Sequence, residues 1–481
     1  MDTLFQDLKQ ALRLFRDLPA FAATAVLALT LGIGVNTAIF SVLNAVLLKR
    51  LPYPEPERLV ALLQADNGVP AAIVVTPAQF THWQSLDDVF ADVVAWRTVS
   101  FDYSVDETPA SVTAGTVSDG YFRTLGATFS AGRALAAEEH VAGAANAVVL
   151  SHSFWTRRLG ARPDAIGSTL TLNGVPYTIV GITSAEFDVR GVDVRGFGVP
   201  DIWVPLHVDP DLTDFSVTLD VFARLRDGVS LTAAQQRLAA SIAAYRERYP
   251  ADAEDWQFTA LGLEETIVRG ARPMLLTLSG AVALVLLVAC ANVANLLLVR
   301  GASRSREVAI RATLGAGRAR IVRQLVTESL VLTLTGGALG LAAGIVCVRW
   351  VLASGLVDLP RVDSTATLLA LDWRVAMFTL LLSIATGLVF GLVPALVGAR
   401  ADLSSVMKDS TSRAAGGRSQ TKTQTTLVVV EVALAVVLVI GAGLLIRTSL
   451  AIGAVDLGLN LHDVLTLRSP ADPAQPTADV A

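Results

Sequence analysis

Residues 274–299 carry no charge, and the stretch that follows, Arg300-Gly-Ala-Ser-Arg-Ser-Arg-Glu-Val-Ala-Ile-Arg-Ala-Thr-Leu-Gly-Ala-Gly-Arg-Ala-Arg-Ile-Val-Arg323, holds seven arginines against one acid, Glu307. As a helix the uncharged run extends roughly 39 Å at ~1.5 Å per residue, more than the ~30 Å hydrocarbon core of a bilayer requires. A long apolar span that exits into arginines is the pattern of a transmembrane helix whose basic end stays on the cytoplasmic side. No soluble fold accommodates that run without burying it on every side.

The rest of the chain agrees with a membrane setting. Hydrophobic residues make up 53% and charged residues 17% of the 481 positions, and the mean hydropathy is +0.54, whereas ordinary soluble domains carry roughly 25% charge. The net charge of −5 conceals an asymmetry: 49–272 holds 18 basic and 28 acidic residues, and the remainder 20 basic and 15 acidic. The positive-inside rule yields that distribution when the acidic segment lies outside and the basic remainder inside. Both cysteines, Cys290 and Cys347, sit in apolar runs, so neither a disulfide framework nor a thiolate metal site is offered.

Taken in order, 1–18 places Leu4, Phe5, Leu8, Leu12 and Phe15 at helical spacing and reads as an amphipathic helix on the cytoplasmic surface. Residues 19–48 form the first transmembrane helix, too long for the core of a cleaved signal peptide. Gly32, Gly34 and Asn36 within it, with Asn292 and Asn295 in the second span, are candidates for close helix packing. Residues 49–272 form an extracytoplasmic domain. Its clearest local signal is Asn173-Gly174 between alternating apolar residues, a hairpin turn. A strand is expected over 221–225 and a helix near Thr232, where Thr232 and Gln235 have capping-box spacing. Strands mixed with helices indicate an α+β domain.

Residues 273–400 then supply three spans, with the basic loop 300–325 between the first two; Glu328 is expected at the interface. A Ser-, Thr-, Ala- and Gly-rich linker, 401–424, precedes a fifth span at 425–446. Glu431 in that span is an ionisable group at membrane depth. It is either a proton or substrate site, or a residue turned toward other helices or the hydrated boundary. The tail, 447–481, contains a strand-like stretch at 464–467 and begins a second extracytoplasmic segment. The expected fold is an α-helical multi-pass membrane protein of about five transmembrane helices, with a large α+β domain inserted between helices 1 and 2.

These residues resemble the permease subunits of MacB/FtsX-type ABC transporters, and most closely the long forms with two FtsX-like units, here cut short after the fifth helix. The resemblance is carried by Leu29-Thr-Leu-Gly-Ile-Gly-Val-Asn-Thr-Ala-Ile-Phe40 and Leu51-Pro-Tyr-Pro-Glu-Pro56 near the start. In the soluble part it rests on Ser118-Asp-Gly-Tyr-Phe-Arg-Thr-Leu-Gly126, Val148-Val-Leu-Ser-His-Ser-Phe-Trp155 and the Asn-Gly hairpin. After it comes Arg306-Glu-Val-Ala-Ile-Arg-Ala-Thr-Leu-Gly-Ala316. The resemblance implies a cell-membrane permease that is not itself an enzyme and binds no cofactor. ATP would be used by a separate ABC-type ATP-binding subunit, since the sequence has no Gly-x-x-x-x-Gly-Lys-Ser/Thr phosphate loop. It further implies a permease dimer or pseudo-dimer in the lipid bilayer, a periplasmic adaptor, and no nucleic acid partner.

Within the basic segment, Arg306, Glu307, Val308, Ile310, Arg311, Leu314 and Gly315 are the candidate contact to that subunit. Glu307 and Arg311 are spaced for a helical ion pair, and Val308, Ile310 and Leu314 would enter a partner's groove, with Gly315 ending the helix. The plainer alternative is that the arginines only meet lipid headgroups and fix topology. Two other function classes remain open from sequence. One is an FtsX-like regulator of cell-wall hydrolases. The other is a membrane-anchored enzyme, for which His152 between Ser151 and Ser153 is a poor candidate because strand neighbours point to opposite faces.

Overall fold

The computed structural model describes residues 19–453 apart from 67–68, 73, 106–107, 142, 188, 190–191, 193–198, 209–216, 251–255, 314–317, 355–371 and 401–416. The proposed amphipathic segment 1–18, residues 401–416 of the expected linker 401–424 and the strand-like stretch 464–467 lie outside the described residues; the remainder of that linker, 417–424, is corrected to the first turns of a helix. The chain divides into two compact units, one built around residues 50–270 and one around the long helices before and after them.

The first unit is organised on one sheet. Its strands are β1 (Leu59–Asp66), β2 (Val69–Ala72), β3 (Val74–Val75), β4 (Phe90–Val105), β5 (Thr108–Val117), β6 (Phe129–Gly132), β7 (Ala147–Leu150), β8 (Thr169–Leu172), β9 (Val175–Thr183), β10 (Ile202–Pro205), β11 (Leu219–Leu225) and β12 (Gln257–Gly262). They follow the order β12-β1-β11-β4-β5-β10-β7-β9-β6, with β2, β3 and β8 attached at the side. Pairing is antiparallel except between β5 and β10 and between β7 and β9. β8 and β9 are the expected hairpin: Asn173 (φ 47°) and Gly174 (φ 78°) both take the left-handed conformation that such a two-residue turn demands.

Two apolar cores lie on this sheet. Helices α2 (Pro77–Gln84) and α5 (Leu231–Arg248) cover one, burying Trp83, Leu238 and Tyr245 against Leu62, Val221 and Ala223. Helix α4 (His152–Leu159) and the β8–β9 hairpin cover the other, around Phe101, Tyr103, Phe154 and Leu172. The short helix α3 (Tyr121–Thr124) contributes Tyr121 and Phe122 to an aromatic group with Trp96, Phe129, Trp203 and Phe222. The last helix of the unit is α6 (Leu263–Val268).

Three local expectations are corrected. α5 begins at Leu231, near Thr232 as expected, but Ser230 and not Thr232 caps it, accepting the Ala233 amide at 3.2 Å. Gln235 completes no capping box and instead donates to the Ala260 carbonyl at 2.8 Å. His152 opens a helix and is not on a strand: Ser151 is the N-cap, and its hydroxyl lies 3.1 Å from that of Ser153 and accepts the Phe154 amide at 3.0 Å. Ser151 is therefore committed to capping, with Ser153 bonded to it.

The second unit consists of α1 (Pro19–Leu43), which continues into a π-helical turn Asn44–Leu48, then α7 (Ala271–Thr313), α8 (Arg318–Ala353), α9 (Trp373–Arg400) and α10 (Gly417–Gly453). Among the described residues four are long and apolar enough to cross a membrane, over Pro19–Leu48, Ala271–Leu297, Val322–Ala353 and Thr425–Thr448. The described apolar part of α9, Trp373–Val389, is shorter. The expected basic loop is also corrected: α7 runs on without a break through Arg300 to Thr313. Arginine and alanine, frequent there, are both strong helix formers.

Candidate coupling helix and the bundle that holds it

α1 is the strut of the bundle, and small residues let it approach its neighbours. A Cβ placed on Gly34 would stand 3.1 Å from the Gly340 carbonyl of α8, and one on Gly32 would stand 3.0 Å from the Ala289 side chain of α7. Both glycines are buried. Asn36 donates to the Val282 carbonyl of α7 at 3.0 Å while also capping Gly32 O of its own helix at 2.8 Å. Asn292 is exposed on α7 and Asn295 half-buried, so neither shares the Asn36 contact.

Toward α9, α1 presents Thr37, Phe40 and Asn44 on one stripe. The Thr37 and Thr379 hydroxyls lie 3.0 Å apart, and each also returns a bond to its own helix, as a hydroxyl in an apolar setting must. Phe40 stacks on Phe378 with ring centres 4.0 Å apart. Asn44, 3% exposed, donates to the Asp372 carboxylate at 2.7 Å. Asp372 also accepts the Arg374 amide at 3.0 Å at the start of α9, and the Arg374 guanidinium reaches the Leu48 carbonyl at 3.4 Å. This clasp sits on the π-helical turn and joins residues far apart in sequence. Periodicity offers no signal for it.

Of the candidate coupling residues, Arg306, Glu307, Val308, Ile310 and Arg311 lie on the helical backbone of α7. Leu314 and Gly315 fall outside the described residues, as do the side chains of the other five. Glu328, expected at the interface, is packed inside the bundle at 7% exposure and accepts from Gln324 one turn earlier on α8 at 3.1 Å. Glu431 is half-buried on α10, on the same stripe as Leu427, Leu434, Leu438 and Gly441, among neighbours that are exposed. α10 packs on α7. Among the described residues no group of His, Cys, Asp or Glu is arranged to hold a metal.

Apolar helices of spanning length, with a large mixed α/β unit inserted after the first of them, define a multi-pass membrane protein of the cell membrane. The sequence matches the family model of the MacB-like periplasmic core domain over residues 22–241 and that of the FtsX-like permease C-terminal over residues 279–405. It is 26% identical over 303 residues to the uncharacterized ABC transporter permease YknZ of Bacillus subtilis (strain 168), covering 62% of this chain and 70% of that one. It is also 26% identical over 299 residues to the macrolide export ATP-binding/permease protein MacB of Escherichia coli (strain K12), covering 61% of this chain and 42% of MacB. The chain thus aligns with less than half the length of MacB. Among solved structures, the periplasmic region of MacB from Actinobacillus actinomycetemcomitans aligns at a TM-score of 0.33 and 15% identity, covering 45% of this chain and 92% of that one. The chain belongs to the MacB/FtsX-type permeases of ABC transporters.

Proposed function

We propose that this chain is the mechanical half of an export machine: an ABC-type ATP-binding subunit docks on the arginine-rich end of α7, and its cycle moves the extracytoplasmic unit. The observation that carries the reading is the unbroken length of α7. Its 43 residues extend about 65 Å at ~1.5 Å per residue, roughly twice the hydrocarbon core. The helix therefore emerges from the bilayer as a continuous rod, with arginines at one end and Gly270, the last residue of the sheet unit, preceding it at the other. A rod transmits displacement where a flexible loop would absorb it. The bonds from α1 to α7 and α9 support the same reading, since they make several helices respond together.

In this proposal the arginine-rich end is cytoplasmic, residues 49–272 are extracytoplasmic, and energy comes from ATP hydrolysed by the partner. Val308 and Ile310 supply apolar contacts and Arg306, Glu307 and Arg311 the polar ones. The test is co-purification of the ATP-binding subunit with the intact chain and with an Arg306→Ala/Glu307→Ala/Arg311→Ala variant. Loss of at least tenfold in retained subunit, with the variant still inserted in membranes, is expected. Equal retention excludes this segment as the dock.

A further inference from the structure

β4 is long enough to serve both cores of the sheet unit. Its odd-numbered residues share one face: Ala95 lies in the core under α2 and α5, whereas Phe101 and Tyr103 lie in the core under α4 and the β8–β9 hairpin. Arg97 stands on that face at the seam between the two. Opposite it on β5 is Thr116, which in turn pairs with Val204 on β10. The Thr116 hydroxyl bonds the Arg97 backbone carbonyl at 3.4 Å, so it does nothing for the cation.

The guanidinium Nε of Arg97 is buried and has no hydrogen-bond partner. Its surroundings hold the group below the ordinary arginine value through burial, with no carboxylate among the described residues to offset it. Other arginines of the unit are treated differently: Arg58 pairs with Glu55 at 2.6 Å, Arg123 with Asp92 at 2.6 Å, Arg133 with Glu139 at 2.7 Å and Arg237 with Asp88 at 2.7 Å. In each of those pairs one member is more than half exposed, where water already lowers the cost of a charge. Arg97, half-buried, has none among the described residues. A buried donor left unsatisfied lowers stability, and an apolar side chain of similar length would avoid the loss.

We propose that Arg97 is the anchor of a binding position for a carboxylate, carried by a ligand that seats on the seam between the two cores. A guanidinium presents two parallel N–H groups that match the two oxygens of a carboxylate, and partial burial strengthens the pairing. Val93 and Val99, each half-buried at the margin of one core, give the seam apolar flanks for the carbon skeleton that bears the acid.

The experiment uses the full chain in lipid nanodiscs, melted in sodium glutarate and in sodium chloride at matched ionic strength, as wild type, Arg97→Met and Arg97→Lys. Glutarate raises the melting temperature of the sheet unit in the wild type, raises it less in Arg97→Lys, which lacks the planar fork, and leaves Arg97→Met unchanged. In chloride, Arg97→Met melts above the wild type by about 2–4 °C, because the unpaired cation is gone. An equal glutarate response in wild type and Arg97→Met, no response in the wild type, or an Arg97→Met protein that melts at or below the wild type in chloride would each overturn the proposal. A response to inorganic phosphate as large as that to glutarate would overturn the assignment to carboxylates.

Discussion

In the sheet unit the largest side chains lie deepest: Trp83 is 0% exposed and Trp96 and Trp203 are 1% exposed. In the helix unit close backbone approaches are made at the smallest residue, glycine, at Gly34, Gly340 and Gly344, with hydroxyl and amide side chains bonding across the gaps. Water expels apolar area from its own volume, so a water-facing domain gains by surrounding big rings with other apolar groups. Lipid tails are as apolar as leucine, so helices in a bilayer gain from close backbone approach and hydrogen bonds instead. The same contrast appears within the helix unit. α1 and α10 each carry a Gly-x-Gly, at Gly32/Gly34 and Gly441/Gly443, but the first pair is packed by α7 and α8, whereas nothing lies within 4 Å of a Cβ on either glycine of the second. An apolar spanning helix thus needs no protein cover, while a soluble core does.

This difference makes opposite substitutions the damaging ones in the two units. Trp83→Ala removes a ring that meets Phe258 edge-on at 5.1 Å and should cost the sheet unit about 3–5 kcal/mol. Calorimetry of the full chain should show the sheet transition falling while the helix unit keeps its own. Gly340→Leu adds bulk at the α1–α8 crossing, where a Cβ already stands 3.0 Å from the Gly34 amide nitrogen. It should destabilise the bundle by about 1–3 kcal/mol and leave the sheet transition in place. Were either substitution to lower both transitions equally, the two units would share one cooperative core and the contrast would fail.

The smallest effect separates the units by pH. Burial holds the His82 imidazole below its ordinary value of 6.5, with a hydrogen bond to the Ser241 backbone opposing and Arg237 and Arg248 adding to it. The unfolded chain therefore binds this proton more readily than the folded one. Stability from His82 is complete above pH ~6.5 and declines as the pH falls below it toward the folded value. The sheet transition should drop on mild acidification, less so in His82→Gln, and the helix transition should not follow it. An identical acid response in His82→Gln would remove this histidine from the account.

Much of this is legible in the amino-acid sequence. The spanning helices, the mixed α/β insert and the Asn173-Gly174 turn each follow from patterns within a few residues. The arginine stretch misled because its charge between two apolar runs read as a loop, although its alanines and arginines favour helix. The cap of α5 was displaced by two residues because Ser230 and Thr232 both suit the role, and their side-chain partners decide between them. What sequence withheld was long-range: the parallel meeting of β5 with β10, the Asn44–Asp372 clasp, and Arg97 between two cores. Those depend on which strands and helices become neighbours, which no local spacing encodes.

Docking of an ATP-binding subunit on α7 requires the arginine-rich end inside the cell and the sheet unit outside it, and single-cysteine labelling tests that most directly. With Cys290 and Cys347 replaced by alanine, Glu138→Cys, at an exposed position of the sheet unit, and Ser305→Cys, on the arginine-rich part of α7, are exposed in turn to a membrane-impermeant maleimide. Intact cells should label Glu138→Cys at once and Ser305→Cys only after permeabilisation. Labelling of Ser305→Cys in intact cells, with Glu138→Cys protected, would contradict the proposed docking of an ATP-binding subunit on α7.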